Sequence, residues 1–129
     1  MNLPTWVQDE VVRAIHLRQV SEHGGDAGIR DEGLLASALA RPQNALAYSP
    51  ECDLATLAAA YAFGIMQNHP FLDGNKRTAY VVGLTFLRLN GLTLEASSEE
   101  KYVTFLGVAE GRVSEEALAR WIRGHVIRS

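Results

Sequence analysis

His69, Asp73, Gly74, Asn75, Lys76 and Arg77 fall within the nine-residue run His-Pro-Phe-Leu-Asp-Gly-Asn-Lys-Arg. The set combines a side chain that titrates near neutral pH, a carboxylate, a permissive backbone position and two adjacent cations. Taken singly, most of these have ordinary explanations: His69 as a polar helix end, Asp73 or Asn75 as a cap, Gly74 as a turn, Phe71 as an anchor. Lys76 and Arg77 resist one. The apolar run that follows them reads as a helix, so both cations fall in its first turn, where they oppose the macrodipole by about 0.3–1 kcal/mol each.

An anion seated at that N-terminus removes the conflict. Gly74 lets a ligand approach the backbone, free amides point at it, and Lys76 with Arg77 neutralises it. A polyphosphate fits best. Asp73 is then the expected ligand for Mg²⁺ bridging phosphate oxygens, because that cation takes one or two carboxylates together with phosphates and water. His69, as a general base beside such a group, points to transfer of a phosphate-containing group to a hydroxyl. Metal-dependent hydrolysis fits less well, since no third protein ligand is evident and no His-Glu-x-x-His occurs.

The flanking elements predict how this loop is held. Val7, Val11, Val12, Ile15 and Val20 have helical spacing over residues 5–22, and Gly24-Gly25 ends that helix. The glycine-rich stretch 24–28 follows a helix and lacks a Gly-Lys-Ser/Thr ending, so it reads as a linker and not a phosphate loop. Asp31 caps a second predicted helix, which Pro42 closes. Residues 43–53 have no clean period and read as a loop or short flap. Asp53 caps a third helix, Leu54 to Asn68, which is apolar on nearly every side and ends at Pro70.

A fourth helix runs from near Asn75 to Asn90, with Gly91 as its C-terminal glycine. Two further helices are expected, from Ser97 or Ser98 to about Glu110 and from Ser114 to about Gly124, the second with acids in its first turn. Leu92-Thr93-Leu94 alone hints at a strand. The predicted class is all-α, with two buried helices joined by the polar loop.

Composition narrows the function classes. The 129 residues fit one domain and are 47% apolar and 21% charged, an ordinary globular balance. A net charge of −3 argues against a nucleic-acid binder. Cys52 is the only cysteine, which excludes an intramolecular disulfide and a cysteine-based zinc site, and its acidic neighbours favour a structural thiol. Neither a signal peptide nor a membrane-length apolar run is evident, so the expected location is the cytoplasm.

The run from His69 to Arg77 resembles the signature loop of the Fic/Doc family, in its Doc branch. The stretches Gly28-Ile29-Arg30-Asp31, Leu34-Leu35, Ser37-Ala38, Arg41-Pro42 and Leu87-Arg88-Leu89-Asn90-Gly91 resemble it too, and the likeness extends over residues 1–129 as a single Fic/Doc domain. The resemblance implies a compact bundle of about six helices with the loop between two central ones. It implies His69 as the base, Asp73 as the Mg²⁺ ligand, and Gly74, Asn75 and Arg77 as phosphate binders, beside Lys76 from the charge argument above. By the same resemblance, residues 43–53 correspond to a flap that docks the target.

Two positions separate this chain from AMP-transferring relatives. Lys76 stands where those carry glycine, and Tyr80 where they carry a second arginine. Doc-type members share both, and are described as kinases that move the ATP γ-phosphate to a threonine of elongation factor Tu, arresting translation. The resemblance therefore implies a toxin of a type II toxin–antitoxin pair using ATP and Mg²⁺. The alternatives are an AMP (nucleotidyl) transferase acting on a protein hydroxyl and a non-catalytic, antitoxin-binding corepressor. Self-inhibited relatives carry Ser/Thr-x-x-x-Glu-Gly/Asn, but the Glu-Gly pairs at 32–33 and 110–111 have Gly28 and Leu106 four residues earlier. The inhibitor implied is a separate Phd-like antitoxin with a disordered tail, and this protein itself is expected to make no direct nucleic-acid or membrane contact.

Overall fold

The computed structural model describes residues 3–129, and the class is all-α as expected. Helices α1 (Asp9–His23), α2 (Glu32–Tyr48), α3 (Leu54–Asn68) and α4 (Asn75–Leu89) precede strand β1 (Leu92–Leu94). Helices α5 (Ser98–Ala109) and α6 (Glu115–His125) and strand β2 (Val126–Arg128) complete the described chain. Among the described residues, no helix is long and apolar enough to cross a membrane.

Helix α3 is the axis of the molecule and packs against α2, α4, α5 and α6. Ala58, Ala59, Ala60 and Ala62 are fully buried on it, and such small side chains let neighbours approach from several directions. Tyr61, Ile65, Phe86, Phe105, Leu118 and Ile122 fill the space between these helices. A helix apolar all round is stable only when enclosed, which matches the pattern of residues 54–68.

Two boundaries differ from the sequence expectation. Helix α1 begins at Asp9 and not at residue 5, because the preceding backbone is committed elsewhere. The Val7 N–H donates to the Tyr61 hydroxyl at 3.1 Å, and the Asn90 side chain bonds both the N–H and the carbonyl of Thr5. Helix α2 continues through Pro42 to Tyr48, so residues 43–48 are helical and only 49–53 connect it to α3. A proline inside a helix costs about 3 kcal/mol, here offset by burial of Leu35, Ala38 and Pro42 against the core. The Ala38 carbonyl, which Pro42 cannot bond, faces Gly64 of α3, where an added Cβ would lie 3.1 Å away.

Strand β1, hinted at in the sequence, pairs antiparallel with β2 in the register Leu92↔Arg128, Thr93↔Ile127 and Leu94↔Val126. The β-branched Val126-Ile127 pair was the available signal for the unpredicted partner. Cys52 is half-buried, and burial followed by the charges of Asp53 and Glu51 pushes its thiol pKa up, consistent with a structural role.

Candidate active site

The loop between α3 and α4 is built by denying each helix its continuation. Helix α3 closes at His69, with φ 47° and ψ 56°, the one non-glycine residue of positive φ among the described residues. Histidine tolerates this left-handed conformation better than most side chains, although glycine is the usual choice. Pro70 supplies no N–H to extend the helix. Arg30 closes the carbonyl end, donating from Nε to the His69 oxygen at 2.7 Å and from Nη2 to the Asn68 oxygen at 2.8 Å.

A short strap formed by residues 28–31 runs antiparallel to the loop. The N–H groups of Arg30 and Asp31 donate to the Pro70 carbonyl at 2.7 and 3.1 Å, and the Leu72 N–H donates to Gly28 at 3.0 Å. Phe71 points into the core, and its ring stacks on buried His16 of α1 with centroids 3.8 Å apart. His16 Nε2–H donates to the Asp73 carbonyl at 2.8 Å, which places the ring proton on that nitrogen. The Asn75 side chain is buried and clamps the loop from inside, accepting from the Phe71 N–H at 3.0 Å and donating to the Phe71 carbonyl at 2.9 Å.

Gly74 occupies the N-cap position of α4 at φ 79°, where a Cβ would meet Val20 at 3.1 Å. No side chain caps α4, and its first turn carries Lys76 and Arg77 with no acid. Its leading amides are therefore offered to the space in front of the helix. Lys76 is exposed, while the half-buried Arg77 guanidinium lies over the Tyr102 ring, 4.7 Å from its centroid. Tyr80, one turn further along, packs edge-on against Tyr102 and Phe105, so its position presents an aromatic wall and no cation.

All six residues singled out in the sequence line one open cavity of about 340 Å³, together with Leu72 and Tyr102. Exposed Asp73 accepts the Asp26 N–H on Oδ2 at 2.7 Å, which leaves Oδ1 available. The stretch 24–28, expected to be a plain linker, is what closes against Asp73: at Gly25 (φ 120°) a Cβ would lie 2.8 Å from that of Asp73. Among the described residues no cluster of three or more His, Cys, Asp or Glu could cage a metal alone. A single free carboxylate oxygen beside an anion cradle suits a hard cation that takes its other ligands from phosphates and water.

Sequence reasoning did not assign roles to His16, Arg30, Asp26 or Tyr102. All four come from other elements, and nothing in their local spacing ties them to the loop.

The profile of the Fic/DOC family matches residues 6–87, which span α1 through most of α4 and contain the whole cavity loop. The chain is 34% identical over 117 residues to the protein kinase doc of Escherichia phage P1, covering 91% of this chain and 92% of that one. It is 45% identical over 75 residues to the toxin Doc of Mycolicibacterium smegmatis, covering 57% of each. With a family match over more than half its length and a relative aligned nearly end to end, the chain belongs to the Fic/Doc family.

Proposed function

We propose that this protein is a toxin kinase that transfers the γ-phosphate of ATP to a hydroxyl of a protein, a threonine of elongation factor Tu. The observation that carries this reading is the start of α4: an uncapped helix N-terminus bearing two cations, opening into the cavity that His69 lines. The phage relative's name, protein kinase doc, supports it. So does Tyr80, which leaves the cavity without the second arginine of AMP-transferring relatives.

In this reading the backbone amides of Gly74, Asn75 and the following turn face the phosphates, while Lys76 and Arg77 balance their charge. Asn75 contributes through its backbone, since its side chain is occupied by Phe71. Asp73 would hold Mg²⁺, which when bound would neutralise charge developing on the phosphate oxygens. The His69 ring accepts the proton of the attacking hydroxyl as its oxygen bonds to the γ-phosphorus and ADP departs. The acceptor protein docks along the end of α2 and the 49–53 connection, where Tyr48 is almost fully exposed. A Phd-like antitoxin with a disordered tail restrains the toxin in the cytoplasm.

The test mixes the protein, Mg²⁺ and elongation factor Tu with ATP labelled at either the α- or the γ-phosphate, with a His69→Ala control. Label should move from the γ position alone and only with His69 present. Transfer from the α position would replace kinase with AMP transferase. No transfer from either would favour a non-catalytic, antitoxin-binding protein.

A further inference from the structure

Among the described residues Arg77 forms no ion pair; its contact is aromatic. The half-buried ring of Tyr102 on α5 carries the guanidinium carbon at 4.7 Å from its centroid, inside the range of about 6 Å over which a ring face attracts a cation. A ring face occupies none of the five N–H donors of arginine, all of which lie in the guanidinium plane. A carboxylate partner would do the opposite, taking two of them and cancelling the charge.

The placement of Tyr102 is fixed from behind. Tyr102 and Phe105 are three residues apart on α5, as Arg77 and Tyr80 are on α4, so each pair shares a helix face. Phe105 is fully buried against Gly83 of α4, where an added Cβ would sit 3.1 Å from its ring. Tyr80 fills the step between them, edge-on to Tyr102 at 5.4 Å and to Phe105 at 5.2 Å. This aromatic ladder ties α5 to the start of α4 and ends at the cavity, which Tyr102 itself lines.

We propose that Tyr102 is a positioning residue of the phosphate site, holding the Arg77 guanidinium over the cavity with its hydrogen-bond donors unspent. This rests on the phosphate-binding reading of the site, and predicts that the ring face matters while the hydroxyl does not.

The test measures calorimetric binding of inorganic tripolyphosphate with Mg²⁺ to the wild-type protein, Tyr102→Phe, Tyr102→Leu, Arg77→Gln and the Tyr102→Leu/Arg77→Gln double variant. Tyr102→Leu should weaken binding by about fivefold, the equivalent of a partly desolvated cation–π contact, with Tyr102→Phe within twofold of wild type. In the Arg77→Gln background, Tyr102→Leu should have no further effect. Equal effects of Tyr102→Leu in both backgrounds, or none in either, would overturn the proposal. Loss of binding in Tyr102→Phe would also overturn it by shifting the role to the hydroxyl. Wild-type binding no tighter than that of Arg77→Gln would bring down the phosphate-site reading itself, and this proposal with it. Should Tyr102→Leu melt below the assay temperature, Tyr102→Met serves the same comparison, because its flexible thioether fills the gap without an aromatic face.

Discussion

At the start of α6, Ser114 accepts a hydrogen bond from the Ala117 N–H at 3.0 Å, and Glu115 and Glu116 fill the first turn. At the start of α4 the cap position holds Gly74, no side chain closes the amides, and Lys76 and Arg77 fill the first turn. The first arrangement lowers the energy of the helix by itself. The second raises it, a cost that the proposed phosphate ligand would relieve. Asp31, Asp53 and Ser97 cap α2, α3 and α5 in the same way, and α1 has acids in its first turn without a cap. Only α4 among the described helices combines an open cap with cations. This departure coincides with the cavity, and the proposed anion site rests on it.

The strongest way to break this comparison is His69→Gly. It removes the proposed base but leaves a residue suited to the left-handed closure of α3. Transfer should fall by roughly 10²- to 10⁴-fold while the melting temperature holds or rises. An active variant would remove His69 from the chemistry, and a strongly destabilised one would make it a structural residue. Asn75→Ala comes next, because it leaves the Phe71 N–H and carbonyl buried without partners. A loss of about 2–4 kcal/mol should appear in urea denaturation. Unchanged stability would mean that the loop does not depend on this clamp.

Two smaller changes set the helix starts directly against each other. Ser114→Ala should cost about 1 kcal/mol of stability and leave transfer as in the wild type. Lys76→Glu should stabilise the protein by about 0.3–1 kcal/mol yet abolish tripolyphosphate binding, since α4 would then resemble α6. A Lys76→Glu protein that still binds would contradict the assignment of this terminus to an anion.

The smallest effect concerns the cap of α3. Asp53 accepts hydrogen bonds from Arg123, which with help from Thr56 lowers its pKa from the ordinary 3.8 to about 2. A depressed acid stabilises the folded state above its unfolded pKa, so this contribution is full above about pH 4 and lost as pH falls toward 2. The Asp53 side chain is 44% exposed, and solvent screening keeps the contribution below about 1 kcal/mol. Arg123→Gln should flatten the dependence of the melting temperature on pH across that window; an unchanged slope would remove Arg123 as the cause.

The helical class, the two buried central helices and the six residues of the loop were legible because each rests on local order. Period and caps mark the helices, and the six candidate residues lie within nine adjacent positions. The 43–53 flap was misread for the same reason. Pro42 is a stop signal within its own strand of chain, and only the face of α3 at Gly64, distant in sequence, makes its burial worth the broken hydrogen bond. Strand β2 likewise depends on a partner more than thirty residues earlier. The residues that hold the site follow the same rule. His16, Asp26, Arg30 and Tyr102 lie on α1, the glycine-rich stretch, the strap and α5, and they meet the site only because the helices pack around α3. Sequence by itself determined which groups are present and which helix start is electrostatically wrong. Tertiary packing decided which residues support them, because hydrogen bonds and ring contacts across long separations leave no period along the chain.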